Sequence, residues 1–207
     1  MISHKFKTVF VHIPKTGGQS VETSFVQAHG LTWETRNELL LRVNKDPALG
    51  PERLAHLYAQ EYYEKGHISR QLYSAYFSFA IVRHPYDRLL SEYNWRFRRG
   101  GPEFGSFLDS VTDDDFIDRN RHMRPQTAYV TNPEGEIIVD EIVRFEEIGK
   151  RIPEILAARI GVPTGLPHVN WSKSASRLKH IPKSHLKRVH EMYEDDFELF
   201  GFESAAE

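Results

Sequence analysis

The chain of 207 residues has the length of a single domain, and its 40% content of hydrophobic residues is enough to bury a core. The net charge of −2 at pH 7 excludes a generally basic nucleic-acid-binding protein, so we expect no nucleic-acid partner, and any anion site must be local. The absence of cysteine excludes disulfide bonds, a thiol nucleophile and cysteine-ligated zinc.

Apolar stretches are short throughout the sequence. The apolar run at residues 9–13 is shorter than the core of a signal peptide and far too short to span a membrane. We therefore expect one soluble domain over residues 1–207, with no transmembrane segment and a cytoplasmic location.

The first predicted elements are a strand and a helix joined by a glycine-containing turn. The run KTVFVHI at residues 7–13 is β-branched and aromatic and is ended by Pro14, which is typical of a short buried strand. Apolar residues recur at helical spacing between residues 18 and 29, which predicts a helix there.

A second strand and helix follow in the middle of the sequence. Helices are predicted at residues 35–42 and 51–63, and the apolar run FSFAIV at residues 77–82 predicts the second strand. Pro85 then starts a helix that ends near residue 98. The remaining predicted elements are short helices at 104–111 and from 113, a third strand within 137–145, a helix at 147–159, a polar loop at 165–176 and a final helix at 182–197.

Strands that alternate with helices indicate an α/β fold, with a mostly parallel central sheet flanked by helices on both faces. In such sheets ligands bind beyond the carboxyl ends of the strands. The residues that directly follow each predicted strand are therefore the candidate site residues.

The first candidate is the sequence PKTGGQS at residues 14–20, between the first strand and the first helix. Small residues let backbone N–H groups approach an anion, the helix N-terminus favours negative charge, and Lys15 adds a positive charge. The loop is not a Walker A sequence, because its lysine precedes the glycines. A plain strand-to-helix turn with a solvated lysine is the alternative interpretation.

The second candidate is the sequence RHPYDRLLS at residues 83–91, which follows the second strand. Arg83 and the hydroxyl of Ser91 would clamp a phosphate group. Arg88 is either a further phosphate ligand or a surface partner of Glu92, four residues later on the same helix.

Together the two segments resemble the PAPS-dependent sulfotransferases, whose donor is 3'-phosphoadenosine-5'-phosphosulfate (PAPS). Four later segments are similar to the carbohydrate-type branch, which includes the heparan sulfate and uronyl 2-O-sulfotransferases: HMRPQ at 122–126, VRFE at 143–146, LPHVN at 166–170 and YEDDFELFG at 193–201. The resemblance covers residues 8–202. The absence of a Golgi anchor and of cysteine is a departure that suggests a bacterial-style cytoplasmic member.

The resemblance implies a P-loop-like sheet, PAPS as donor, PAP (adenosine 3',5'-bisphosphate) as product, and no metal. It implies that the first loop holds the 5'-phosphosulfate and that Arg83 and Ser91 hold the 3'-phosphate. A basic loop at residues 170–179 is either a cover for the donor or a solvated loop. The implied donor residues are Lys15, Thr16, Gly17, Gly18, Gln19, Ser20, Arg83, Ser91, Ser172, Lys173 and Arg177.

Transfer to a hydroxyl needs a base, and histidine serves most often near neutral pH. His67, in a Gly-His pair ahead of the second strand, matches the place of the base in the 2-O-sulfotransferase branch, and His122 and His168 are the alternatives. Both of these, with Arg124 and Gln126, are predicted to line the acceptor site.

His12, inside the first strand, is interpreted as a core histidine with a backbone partner. Lys15 is predicted to act in catalysis as well, by neutralising charge on the bridging oxygen of the donor.

The sequence thus predicts a sulfotransferase that acts on a hydroxyl, with a sugar or glycoconjugate as acceptor. Two alternatives are an ATP-dependent kinase-like transferase and a nucleotide-binding module without catalytic activity. The position of Lys15 before the glycines, instead of after them as in a Walker A loop, argues against the kinase.

Overall fold

The computed structural model describes residues 1–117, 121–161 and 182–204. Their strands form one sheet in the order β1-β2-β3-β4. The strands are β1 (Ile2–Ser3), β2 (Thr8–Val11), β3 (Phe77–Val82) and β4 (Glu141–Arg144).

Three of these strands are parallel. Thr8 of β2 lies opposite Phe77 of β3, and Phe79 of β3 lies opposite Glu141 of β4. β1 pairs with β2 in the antiparallel direction, with Ile2 opposite Val9. The three parallel strands therefore end at the same edge of the sheet, and the residues that follow them meet there.

The α-helices differ widely in length, and the longest are α1, α4 and α8. In chain order they are α1 (Gly18–Ala28), α2 (Glu61–Glu64), α3 (Arg70–Ala75), α4 (Pro85–Arg96), α5 (Phe104–Ser110), α6 (Asp113–Phe116), α7 (Thr127–Val130), α8 (Ile148–Ile160), α9 (Lys183–Met192) and α10 (Glu194–Phe200). Short 3₁₀ turns lie at Arg36–Leu39, Pro47–Leu49, Leu54–His56 and Phe145–Glu147. In the described residues no helix is long and apolar enough to cross a membrane.

Each face of the sheet has its own apolar core. Side chains alternate along a strand, so Phe10 and Phe79 point to one face while Val9 and Ala80 point to the other. Helices α1 and α8 cover the first face, and α2, α3 and α7 cover the second. A third apolar cluster joins α4, α5, α9 and α10 beside the sheet. The mostly parallel sheet with helices on both faces is confirmed.

The three predicted strands and the helices that follow them are present, but three helix predictions are wrong. Residues 35–42 contain only the 3₁₀ turn Arg36–Leu39, because Leu40 has φ +61°. Residues 51–63 contain the 3₁₀ turn Leu54–His56 and the start of the short α2 instead of one helix, and the last helix is divided at Tyr193. The structure adds β1, α3 and α7, which the sequence patterns did not predict. The predicted loop at 165–176 lies outside the described residues.

Candidate active site

The loop between β2 and α1 has an unusual backbone. Lys15 has φ +69° and Gly17 has φ +84°, both in the left-handed region. Thr16 lies between them, fully buried, and its Oγ1 donates to the carbonyl of Ile13 at 2.8 Å. Left-handed residues interspersed in such a loop turn backbone N–H groups towards a common point, and Gly17 caps the helix without a side chain. The loop is therefore shaped to receive an anion.

The Lys15 side chain brings positive charge to this loop. Its Nζ lies 5.2 Å from the ring centroid of Trp95, which is 46% exposed. Within the described ranges Lys15 has no salt bridge. Burial lowers the pKa of Lys15, the negative charge of Glu92 opposes that change, and Arg83 adds to it. A half-buried ammonium group that forms no salt bridge within these ranges is available to a bound anion.

Arg83, directly after β3, is the second cation of the site. It is 5% exposed, its Nη1 donates to the Lys15 carbonyl at 3.3 Å, and its guanidinium lies 4.3 Å from the Phe145 ring centroid. Burial lowers the pKa of Arg83, while Asp87 and Glu146 oppose the change. The ends of β2, β3 and β4 thus meet at this side chain.

Gln126 fixes the backbone of Arg83. The Arg83 N–H donates to Oε1 of Gln126, and Nε2 of Gln126 donates to the Arg83 carbonyl, both at 2.8 Å. Nε2 also donates to Oδ2 of Asp196 at 3.2 Å. The Gln126 side chain is fully buried, and these contacts hold the backbone of Arg83 in position. Its contact with the acceptor stays a prediction.

Arg88 is buried and joins two parts of the site. Its Nε donates to the Pro14 carbonyl at 3.1 Å, and its Nη2 donates to the His122 carbonyl at 2.7 Å. The predicted surface pair with Glu92 does not form, because Glu92 contacts Arg96 and His122 instead. Ser91 is half-buried on the same helix, α4, one turn after Arg88.

Three histidines lie side by side near the loop, and we call them the histidine cluster: His12, His56 and His122. The ring centroid of His56 is 5.4 Å from that of His12 and 5.2 Å from that of His122. His12 has no backbone partner for Nδ1, contrary to the prediction. Instead this atom lies 2.6 Å from Oε1 of Glu22.

The other outer histidine also has a carboxylate partner. His122 Nδ1 lies 2.9 Å from Oε2 of Glu92, and Glu22 and Glu92 are 4% and 1% exposed. Burial raises the pKa of Glu92, but hydrogen bonds and charge from His122 and Arg96 outweigh it, so that the pKa is lowered overall. Among the residues that the structure describes, no three His, Asp or Glu side chains are arranged to hold a metal ion.

Two contacts hold the histidine cluster in place. A Cβ atom at Gly18 would lie only 2.4 Å from the His12 ring, so the ring packs flat against the start of α1. Arg121, with φ +59°, pairs with Glu61 at 2.9 Å and donates to the His56 carbonyl at 3.4 Å. The turn that carries His122 is thereby tied to the segment that carries His56.

A cleft of about 190 Å³ opens beside the histidine cluster. The buried His12 and His56 form its inner part, and the exposed Trp33, Arg42 and Arg53 lie in its outer part. Its lining residues are His12, Gln19, Glu22, Trp33, Arg36, Leu41, Arg42, Val43, Arg53, Ala55 and His56. The cleft has the size and position to admit part of a second substrate next to the anion-binding loop.

Comparison with known proteins identifies the family. The family model described as "Sulfotransferase family" matches residues 1–203. The chain belongs to the sulfotransferase family.

One relative in this family is carbohydrate sulfotransferase 10 of Xenopus laevis. It is 24% identical over 243 aligned residues, which cover 97% of this chain and 66% of the relative. The chain therefore spans just under two thirds of the length of that sulfotransferase. No solved structure matches the chain.

The two motif cations, Lys15 and Arg83, lie together, whereas the predicted base, His67, lies elsewhere. Lys15 and Arg83 are in contact, as their positions after two parallel strands predict. His67 has its Nε2 2.7 Å from the Leu49 carbonyl, and no contact among the described residues joins it to Lys15 or to the histidine cluster. Arg124 is half-buried, near His122 in sequence. His168, Ser172, Lys173 and Arg177 lie outside the described residues.

Sequence reasoning missed His56, Glu22 and Glu92. The glutamates left a signal: Glu22 lies beside Val21 and Phe25 on the buried side of α1, and Glu92 is one turn after Arg88 on α4. An acid on the buried side of a helix needs a partner and marks a candidate site. His56 left no such signal, because its surroundings are made by residues distant in sequence.

Proposed function

We propose that this protein transfers the sulfuryl group of PAPS to a hydroxyl group of a carbohydrate acceptor. The observation that carries the proposal is the contact of two cationic residues, Lys15 and Arg83, at the ends of neighbouring parallel strands. Family membership supports sulfuryl transfer. The carbohydrate acceptor is inferred from the relative's name and the sequence resemblance.

The donor would lie across the carboxyl edge of the sheet. The loop at residues 15–20 would bind the 5'-phosphosulfate through backbone N–H groups and Lys15. Arg83 and Ser91 would bind the 3'-phosphate. Ser172, Lys173 and Arg177 are proposed to cover the donor, on the sequence resemblance alone.

In the reaction, the acceptor oxygen attacks sulfur from the side opposite to the phosphate. A new S–O bond forms while the bond between sulfur and the bridging phosphate oxygen breaks, and PAP leaves with the electron pair. The acceptor proton passes to a base. Lys15 would stabilise the negative charge that develops on the bridging oxygen, which is stronger in the transition state than in the bound donor.

The contacts favour a base in the histidine cluster over His67. A base must reach the acceptor, and both His56 and His12 line the cleft. The Nδ1 atom of His12 is paired with Glu22 and its ring lies against Gly18, which leaves it a positioning role. We therefore propose His56 as the base, flanked by His12 and His122. The sequence resemblance implies His67 as the base, so any test of His56 must include a variant of His67 for comparison.

Donor choice tests the proposal directly. At a PAP concentration 100 times the Kd, the free energy of unfolding should rise by about 2.7 kcal/mol, and thermal unfolding should shift to higher temperature. ATP with Mg²⁺ should give a much smaller shift, and labelled PAPS should lose its label to a saccharide acceptor. Lys15→Ala should reduce the PAP shift, whereas Arg159→Ala, at the amino end of β3 against Phe77, should not. Equal shifts with PAP and ATP would contradict the proposal.

A further inference from the structure

This inference rests on the proposed function and concerns the acceptor. We propose that the cleft beside His56 binds an anionic saccharide, with Arg42 and Arg53 contacting its carboxylate or sulfate group and Trp33 packing against a sugar ring. The acceptor hydroxyl would then lie at the inner part of the cleft, near His56.

The charge of the cleft is the first argument. Three arginines line it, Arg36, Arg42 and Arg53, against a single acid, Glu22. Glu22 is buried, and its Oε1 accepts a hydrogen bond from Nδ1 of His12. In the described part of the chain neither Arg42 nor Arg53 forms a salt bridge. The cleft therefore has an excess of positive charge that an anionic ligand would neutralise.

The backbone places the two arginines on neighbouring segments. Val43 and Arg53 form an isolated antiparallel bridge, and the N–H of Leu54 donates to the Arg42 carbonyl at 3.2 Å. Both arginines line the cleft and are exposed, and the guanidinium group of either one can donate paired hydrogen bonds to a carboxylate or sulfate.

An aromatic side chain completes the outer part of the cleft. Trp33 is 38% exposed, and the Arg36 guanidinium lies 4.3 Å from its ring centroid and donates to its backbone carbonyl. This stacking restricts the motion of the indole. A partly exposed indole with one polar neighbour offers the flat apolar surface that the C–H face of a sugar ring needs.

The position of the cleft separates it from the donor residues. Its lining contains neither Lys15 nor Arg83, whose guanidinium lies on Phe145 after β4. It does contain His56 and His12 of the histidine cluster. An anionic group bound by Arg42 and Arg53 would thus belong to the acceptor, and not to PAPS.

The test measures saccharide binding in the presence of saturating PAP, so that it does not depend on turnover. The uronate probes are hexasaccharides of hyaluronan, unsulfated chondroitin and heparosan, each compared with its carboxyl-reduced form. The sulfate probe is dextran sulfate, compared with dextran. The two members of each pair have the same sugar rings and differ only in the anionic group. The uronate pairs therefore test recognition of a carboxylate, and the dextran pair tests recognition of a sulfate.

We expect at least one anionic probe to bind roughly tenfold or more tightly than its neutral partner. The double variant Arg42→Ala/Arg53→Ala should remove that preference and leave the Kd for PAP within about twofold of wild type. Trp33→Ala should weaken the anionic and neutral forms alike. Arg159→Ala is the control variant. It removes one exposed arginine of α8, whose guanidinium lies over Phe77 at the amino end of β3, whereas the candidate site lies at the carboxyl ends of the strands.

Three results would overturn the inference: no binding of any anionic probe, equal affinity for charged and neutral partners, or a double variant that loses PAP binding to the same degree. The last result would assign the arginines to the donor. A different result would contradict the proposed function instead: the protein binds an anionic probe through these arginines but neither binds PAP nor transfers label. The anion site would then stand without the sulfotransferase activity.

Discussion

Glu22 and Glu92 determine the chemical state of two histidines. A carboxylate can only accept a hydrogen bond, so the short contacts of Oε1 of Glu22 and Oε2 of Glu92 require a proton on Nδ1 of His12 and of His122. The remaining ring nitrogen, Nε2, is then the atom that carries a lone pair in the neutral ring. The two outer histidines therefore present defined tautomers on either side of His56.

His56→Ala should lower kcat by roughly 10²–10⁴-fold, the usual share of general-base catalysis, because the variant lacks the proposed base. The Kd for PAP should stay within about twofold of wild type. Initial rates with labelled PAPS across pH give the readout: wild-type activity should rise through the imidazole titration and then level off.

His67→Ala is the matched variant, and it should keep kcat within about threefold because its ring contacts the Leu49 carbonyl and not the cluster. If His67→Ala abolished turnover while His56→Ala retained it, the base would be the histidine that the sequence resemblance implies.

At the residue scale, the sequence predicted the meeting of Lys15 and Arg83 but not the histidine cluster. Arg83 directly follows β3 and Lys15 lies in the loop after β2, and the geometry of a parallel sheet brings such residues together. His56 lies in the 3₁₀ turn Leu54–His56, and its neighbours His12 and His122 come from distant parts of the sequence. No local spacing encodes that meeting.

The start of α1 is the element on which the cluster depends. Gly18→Ala would place a Cβ within 2.4 Å of the His12 ring, and the ring would have to move away from Glu22. We expect the free energy of unfolding to fall by about 1–3 kcal/mol, the usual cost of overpacking, together with a loss of activity.

Urea unfolding and initial rates measure the two effects. Gln27→Ala, an exposed site on the same helix, should change stability by no more than about 0.5 kcal/mol. Wild-type stability and turnover in Gly18→Ala would mean that the position of the His12 ring is unimportant.

Elements with a clear local pattern were predicted well. FSFAIV forms β3 at the predicted residues because a short apolar run with β-branched and aromatic residues suits a strand buried on both faces. Residues 51–63 failed because tertiary contacts interrupt the helical pattern: the Ala59 N–H donates to the Tyr129 carbonyl, and Glu61 pairs with Arg121. The N–H and carbonyl groups there have partners outside the segment.

For the whole molecule, Arg88 is a side chain that joins three distant parts of the chain. From α4 it reaches Pro14 before the loop, His122 in the histidine cluster and, at 5.9 Å, the Tyr193 ring near the C-terminus. Arg88→Met would keep most of the apolar volume but leave both buried carbonyls without their donor. The expected loss in the free energy of unfolding is about 2–5 kcal/mol.

Chemical denaturation checks this value. Arg98→Met, at an exposed arginine two residues beyond the end of α4, should unfold within about 0.5 kcal/mol of wild type. An Arg88→Met variant with an unchanged unfolding midpoint would show that the two carbonyl contacts contribute nothing measurable.

The contacts that assemble the active site span very long stretches of sequence. Arg83 and Lys15 are 68 positions apart, Arg88 and Pro14 are 74 apart, and Gln126 and Asp196 are 70 apart. Loops of this length close late in folding, because their entropy cost precedes any compensating contact. The proposed donor site should therefore form only after most of the chain has been synthesised.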